Sequence, residues 1–374
     1  MARRGKGEGS IYQRKDGRWV GSLILENGKR KYLYGKTRKE VQEKLRVATN
    51  EQKQGILATG PQQKLATYLI EWLETVQKPA VRATTYAQYR SAITKHLIPA
   101  IGQISLQKLT AQKVQALYAQ KLDEGLSARS IAIIHTVLHN LLENAVQWNL
   151  VSRNVTSMVS VPRVKSHEVT ALRPEQAQKL LEVSQGHHFE ALVLLSVTTG
   201  MRRGELLALR WNDIDFENSI LFVRRSVNRV PSLGYVENDP KTRTSKRKIM
   251  LPDVTQNALK EHLAGQEQVR VKAGEKWHDM DLVFCNRHGG YLHTSHMLAT
   301  FHKLVEDAGL PPIQFHDLRH SAATILLVKG VHPKVVQELL GHSSIVMTMD
   351  TYSHALPSML RDAMNTMNEI FKRQ

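Results

Sequence analysis

Four stretches in the second half of this 374-residue chain carry polar side chains that are odd for their surroundings. "TTGMRRGELLAL" follows a wholly apolar segment, and its Arg202 and Glu205, three apart, share one face if the stretch is helical. An arginine at a helix start suits an anion, because free backbone N–H groups point there too; a surface Arg–Glu pair is the plainer alternative. "DPKTRTSKRKIML" puts Lys241 at the start of a hairpin arm, with five cations between 241 and 248. It reads either as a solvated basic hairpin or as a lysine on a strand tip reaching into a site. "FHDLRHSAATILL" offers His316 and Arg319 on one helical face, with His320 one turn beyond His316. "LLGHSSIVMTMDTYSH" holds His342 directly after Gly341, a helix stop, and Tyr352 ten residues on, between His342 and His354. Met347 and Met349 read as packing residues.

Two arginines, a lysine and two histidines suit a pentavalent phosphate. Arginines hold its non-bridging oxygens by charge-assisted, often bidentate bonds. A lysine or histidine can move the protons. A tyrosine hydroxyl is a weak nucleophile at its usual pKa of about 10 and needs that electropositive setting. No acidic cluster for a pair of magnesium ions stands in the sequence, and cationic side chains make none necessary, so neither metal nor other cofactor is expected. His316 and His320 in "HDLRH" are spaced like the zinc motif H-E-x-x-H, but Asp stands where Glu acts as base and no third ligand is specified. The clusters "GHH" and "HTSH" read as surface or capping histidines.

The elements that must hold these residues follow from pattern. From about 168 the chain mixes helices ("RPEQAQKLLEVS", "HFEALVLLSVTTG", "RGELLAL"), then strands ("DIDFENSILFVRRSV", "SKRKIML"), then mostly helices, which suggests a mostly helical α+β domain over 168–374. Upstream, apolar residues recur at three and four between 64 and 150, with Thr110 and Ser127 at N-cap positions and Pro99 and Gly125 as breaks. That is an all-α domain over 64–160, joined onward by the extended "VPRVKSHEVTALRPE". In a first module of 1–58, residues 1–35 alternate as short strands around the turns "KDG" and "ENG", and Thr37 with Glu40 opens a helix of about 38–54 that ends at Gly55. The expected fold is therefore multidomain: a small three-stranded β-sheet plus helix, an all-α domain, and the α+β domain.

Charge separates the first module from the rest. The chain carries 52 Lys+Arg against 34 Asp+Glu, a net charge of +18, and residues 1–60 alone hold 15 basic and 6 acidic residues. A protein this basic favours a polyanionic partner, nucleic acid before membrane surface. Basic sheets of this kind can enter the major groove; a merely solvated basic surface is the other reading. The single cysteine, Cys285 in "LVFC", excludes an internal disulfide framework and reads as a small core residue. "MARRGKGEGS" is followed by no apolar stretch, so it is no signal peptide, and the run "ALVLLSV" is too short to span a bilayer. A soluble cytoplasmic protein is expected.

In order, "TGMRRGE", "PKTRTSKRKI", "HDLRH", "LGH" and "DTYSH" match the pattern T-G-L/M-R-x-G-E, hairpin Lys, H-x-x-R, G-H and a Tyr about ten residues later. On these motifs the sequence resembles the tyrosine recombinase, or phage integrase, family. The resemblance picks Arg202 rather than Arg203, and Lys241 rather than Lys246 or Lys248. It implies that Arg202 and Arg319 bind the phosphate, His316 handles protons, His342 donates a supporting hydrogen bond, Glu205 orients the site and Tyr352 is the nucleophile. His354 acquires no role. It further implies a DNA integrase working through a 3′-phosphotyrosyl intermediate and a Holliday junction, as a homotetramer, with neither metal nor ATP, on a mobile element such as a prophage or conjugative transposon.

Over the rest of the chain, 64–155 resembles a core-binding domain and 1–55 the arm-binding domain of lambda-type and conjugative-transposon integrases. Double-stranded DNA, at core and arm attachment sites, is then the partner, in a bacterial cytoplasm at the nucleoid. A host DNA-bending protein and a directionality factor are partners the resemblance allows. Residues 357–374 read as an amphipathic tail helix, packing in cis or on a neighbouring protomer. Three rivals are a type IB topoisomerase, against which the arm-like module argues, a catalytically silent DNA-binding regulator, and a zinc hydrolase built on "HDLRH".

Overall fold

The computed structural model describes residues 10–24, 30–53, 62–164, 170–231, 233–239, 246–342 and 344–345, with 364, 367, 370 and 371 near the C-terminus. The chain divides into two compact units, Met1–Ser166 and His167–Gln374.

In the first unit, strands β1 (Ser10–Gln13), β2 (Trp19–Ile24) and β3 (Arg30–Gly35) form an antiparallel sheet in that order. Helix α1 (Arg38–Lys53) packs across one face, burying Leu23 against Leu45 and Ala48. The approach is so close that a Cβ on Gly21 would stand 2.9 Å from Val41 Cγ1. Thr37 Oγ1 accepts the Glu40 N–H at 3.2 Å as expected, but Glu40 reaches back to the Lys36 N–H (2.8 Å) rather than to that of Thr37. Gly55 lies outside the described residues. On the opposite face the register sets Tyr12 and Tyr34 on either side of Val20, and Ser10 and Tyr32 on either side of Ser22. Val20 is buried beneath the tyrosines, whereas Tyr12, Tyr32 and Tyr34 stay nearly half exposed.

The helical part of this unit starts with α2 (Leu65–Trp72), which runs through a π-turn at Leu73–Gln77 into α3 (Lys78–Ala80). Helix α4 (Ala83–Ala92) likewise runs through a π-turn at Ile93–Leu97 into α5 (Ile98–Ile101). Each π-turn stands just before a proline, Pro79 or Pro99. A proline ring clashes with the carbonyl four residues back and offers it no N–H. Five-residue spacing, seen where the Lys78 N–H donates to Leu73 O and the Ile98 N–H to Ile93 O, shifts the hydrogen-bond register around the ring. Pro99 therefore does not end its helix. Gly125, at φ +89°, does follow the end of α6 (Ala111–Asp123). Thr110 and Ser127 cap α6 and α7 (Ala128–Gln147) through their side-chain oxygens. The core gathers Tyr68, Trp72, Leu97, Tyr118 and Leu138, and the buried indole finds a partner in Asn144 Oδ1 at 2.7 Å.

The second unit is mostly helical, with two small sheets among its described residues. Helices α8 (Pro174–Ser184), α9 (Glu190–Thr199) and the single turn α10 (Arg203–Leu206) come first. Strands β4 (Ile214–Asp215), β5 (Ile220–Val223), the hairpin β6 (Ser226–Val230) with β7 (Gly234–Asn238), and β8 (Arg247–Met250) follow; β4, β5 and β8 form one antiparallel sheet. Then come α11 (Asp253–Ala273), α12 (Thr294–Asp307), α13 (Asp317–Val328) and α14 (Pro333–Leu340). Helix α9 is apolar all round because neighbours surround it: α8, α11 and α13 all pack on it. Cys285 is half-buried rather than in the core, its sulfur accepting from Gln266 Nε2 at 3.1 Å. His187 accepts the Phe189 N–H just before α9, whereas His293, the residue before α12, bonds the Ser295 hydroxyl and makes no side-chain cap. The tail helix of 357–374 falls largely outside the described residues; Met364, Met367, Ile370 and Phe371 are exposed.

Candidate active site

Helix α9 ends on Gly200 in the left-handed region (φ +60°), a conformation glycine adopts without Cβ strain. A Cβ there would also stand 2.4 Å from Leu340 Cδ2, so the end of α9 meets the end of α14 with no room to spare. The Gly200 carbonyl accepts from Arg319 Nη1 at 2.7 Å. Arg319, on the first turn of α13, is 3% exposed. Burying a charge is costly without hydrogen-bonded partners, and the Gly200 carbonyl supplies one.

Two residues past Gly200, Arg202 has extended backbone (φ −69°, ψ 147°) just before α10. Glu205 returns from that turn, its Oε2 accepting the Arg202 N–H (3.0 Å) and its Oε1 accepting Arg202 Nη1 (2.9 Å). Arg202 Nη2 also points to Gly341 O, at 3.3 Å. A second guanidinium reaches the same carboxylate: Arg247 Nη2, from β8, donates to Glu205 Oε2 at 3.0 Å, while its Nε donates to Leu339 O at 2.6 Å. Glu205 is 3% exposed. Burial would raise its pKa, but Arg247 and then Arg202 beside it hold it below the usual value, so it is an anion at neutral pH.

The histidines stand in the same field. His316 immediately precedes α13, its ring edge-on to His320 at 5.2 Å between centroids. Burial lowers its pKa, followed by Arg319; Asp317 opposes, and Arg202 and Arg203 lower it further. Asp317 itself turns to the backbone, accepting the Gln314 N–H at 2.7 Å, so it caps the turn. Among the described residues no group of three or more metal-ligating side chains converges. His342 follows Gly341, the left-handed cap of α14, and Gln337 pins it through both its N–H and its carbonyl (3.1 Å each). Burial first, then Arg319 and Arg202, push His342 down to about 4. His320 is likewise pushed down to about 4, by burial and His316. All three imidazoles are therefore neutral at pH 7, each with one nitrogen to donate and one to accept.

The fold thus brings Arg202, Glu205, His316, Arg319 and His342 into one electrostatic neighbourhood. Lys241, Tyr352 and His354 lie outside the described residues. Lys246 pairs with Asp239 at 3.3 Å on the surface, and Lys248 lies over the Phe222 ring, 5.5 Å from its centroid. Arg247 was missed from sequence. The alternation in "RKIM" sets it on the side of buried Ile249, but arginine is so seldom buried that composition argued the other way. A cavity of about 790 Å³, lined by His187, His188, His262, Phe284 and Cys285 among others, shares no residue with this cluster.

Two guanidinium groups beside neutral imidazoles, on a mostly helical domain, have the chemistry to hold a phosphate ester, and comparison with known proteins gives the family. Residues 170–359 match the model of the phage integrase family, and 64–122 that of the phage integrase N-terminal SAM-like domain. The chain belongs to this family, the tyrosine recombinases, which are enzymes that cleave and rejoin DNA. It is 31% identical to a XerC-like tyrosine recombinase of Caldanaerobacter subterraneus subsp. tengcongensis, over 92% of this chain and 94% of that one. It is 25% identical to the transposase of transposon Tn916 from Enterococcus faecalis, over 92% and 90%. Among solved structures, the Tn1549 transposon integrase in complex with transposon right end DNA superposes with a TM-score of 0.68 at 21% identity, over 81% of this chain and 99% of that one. A lambda integrase tetramer bound to a Holliday junction gives 0.58 at 19% identity, over 93% and 96%.

Proposed function

We propose that this recombinase integrates and excises a mobile element by site-specific exchange at attachment sites on double-stranded DNA. The observation that carries the reading is the convergence of buried Arg319 with Arg202 and two neutral histidines, His316 and His342, over one small region. Arg202 and Arg319 hold the non-bridging oxygens of the scissile phosphate, and His342 donates a hydrogen bond to the same group. The Tyr352 oxygen forms a bond to phosphorus as the bond to the 5′ oxygen breaks. The phenol proton passes to His316, and Lys241 delivers one to the leaving oxygen. The freed 5′-hydroxyl of a second duplex then attacks the phosphotyrosine, so one ester replaces another and no ATP is consumed. Glu205 orients Arg202.

The domain assignment belongs to the same proposal. Residues 1–58 bind arm sites through the tyrosine-bearing sheet, 64–160 bind the core site, and 168–374 carry the chemistry. Four copies act together on DNA, a reading supported by the lambda integrase relative captured as a tetramer on a Holliday junction. A host DNA-bending protein and a directionality factor assist, in a bacterial cytoplasm at the nucleoid. The test is a nicked suicide substrate carrying candidate element-end DNA. Wild-type protein should form a covalent adduct that maps to Tyr352, whereas Tyr352→Phe should bind the DNA and form none. Adduct from that variant would remove the tyrosine assignment.

A further inference from the structure

We propose that Arg247 is a positioning residue for strand cleavage. Through Glu205 it orients the Arg202 guanidinium, and through Leu339 it fixes the helix end that His342 follows. The inference rests on the proposed reading of Arg202 and His342 as phosphate ligands.

The two arginines on Glu205 are not equivalent. The Arg202 side chain is 38% exposed, open to a ligand, whereas that of Arg247 is 6% exposed and engaged with protein groups. Arg247 spans two elements with one planar group: Nη2 to Glu205 on α10 and Nε to Leu339 O near the end of α14. The last carbonyls of a helix lack intrahelical donors, and Leu339 obtains its donor here. Arg202 supplies the neighbouring contact, but its 3.3 Å bond to Gly341 O is the long one of the set. A phosphate oxygen can take that nitrogen from Gly341 while the Glu205–Arg247–Leu339 frame stays intact.

Without Arg247, the buried Glu205 keeps Arg202 alone as counter-charge among the described residues. Both carboxylate oxygens then draw on Arg202, competing with the phosphate for the same guanidinium. The end of α14 also loses its shorter tether. Lysine cannot substitute, because a single ammonium nitrogen does not span both acceptors as the fork does. Arg247→Lys therefore keeps the charge that folding requires and removes the geometry.

The experiment measures adduct formation on the suicide substrate at saturating DNA, DNA affinity and thermal melting, for Arg247→Lys, Arg247→Met, Glu205→Gln and the two double variants. Arg247→Lys should melt with the wild-type cooperative transition and bind DNA within about threefold of wild type, yet cleave at least ~10-fold more slowly, with Arg247→Met slower still. Arg247→Met combined with Glu205→Gln should be no slower than the slower single variant, within about threefold, because both act through one frame. Wild-type cleavage by Arg247→Lys, equal losses in affinity and rate, additive losses in the double variant, or an Arg247→Lys chain with no folding transition would each overturn the proposal. Wild-type protein that forms no adduct, or Tyr352→Phe protein that does, would instead strike the recombinase reading.

Discussion

Gly200 and Leu340 stand so close that a methyl group on Gly200 would lie 2.4 Å from Leu340 Cδ2. Through this contact the end of α9, which leads into Arg202, is seated on the end of α14, which leads into His342. The Gly200 carbonyl also anchors Arg319. Gly200→Ala should therefore cost stability twice, by overpacking and by a side chain at φ +60°. A loss of about 1–3 kcal/mol is expected from overpacking alone. Cleavage at saturating DNA should fall more than affinity. Urea unfolding and single-turnover cleavage check both; an alanine variant with unchanged midpoint and rate would contradict this close seat.

The neutral histidines make stability depend on acid. His342 and His320 take up a proton in the native state only near pH 4, whereas an unfolded histidine does so at about 6.5. Between those values the unfolded chain binds more protons, so stability rises with pH. This contribution is complete above about pH 6.5 and is lost as pH falls towards 4. Carboxylates titrate in the lower part of that window, so the difference between proteins is the informative quantity. The urea midpoint of His342→Asn should fall less steeply than that of wild type from pH 6.5 to 4. Parallel curves would mean that His342 is not held neutral by burial, Arg319 and Arg202.

The exposed face of the N-terminal sheet separates two kinds of contact. Tyr12, Tyr32 and Tyr34 are nearly half exposed on one face, with Arg30 at its edge. Because none of the three fills the core under α1, Tyr34→Ala should lower the melting temperature only by what uncovering Val20 costs, and weaken arm-site binding with the salt dependence intact. Arg30→Ala should lower the slope of log affinity against log salt by about 1, the signature of one lost phosphate contact. Gel-shift titrations at several salt concentrations distinguish them. If Tyr34→Ala and Arg30→Ala both bind arm DNA as wild type does, the sheet is only a solvated surface.

Cleavage should proceed at the full rate in EDTA. The negative charge that develops on the phosphate is met by Arg202, Arg319 and Lys241 in the proposed mechanism, the task a metal ion performs in other phosphoryl-transfer sites. Adduct formation measured with and without chelator decides this. Strict dependence on a divalent cation would reopen the "HDLRH" histidines as ligands.

Much of this protein was legible locally. Helical periodicity, the caps at Thr110 and Ser127 and the stop at Gly341 follow from interactions within a few residues, and such interactions are written in spacing; the five motifs in order were legible through the family resemblance. Pro99 was misread as a helix end because a π-turn just before it shifts the hydrogen-bond register around the ring, an accommodation that proline's own preference does not reveal. The tertiary structure alone decided which charges share a carboxylate. Arg247 looked like one of five solvated cations, yet it joins Glu205, 42 positions earlier, and Leu339, 92 positions later. Arg319 bonds a carbonyl 119 positions away. Whether a charge is buried depends on partners brought from distant segments, and the low-dielectric surroundings that depress the histidines exist only once those segments have closed around them.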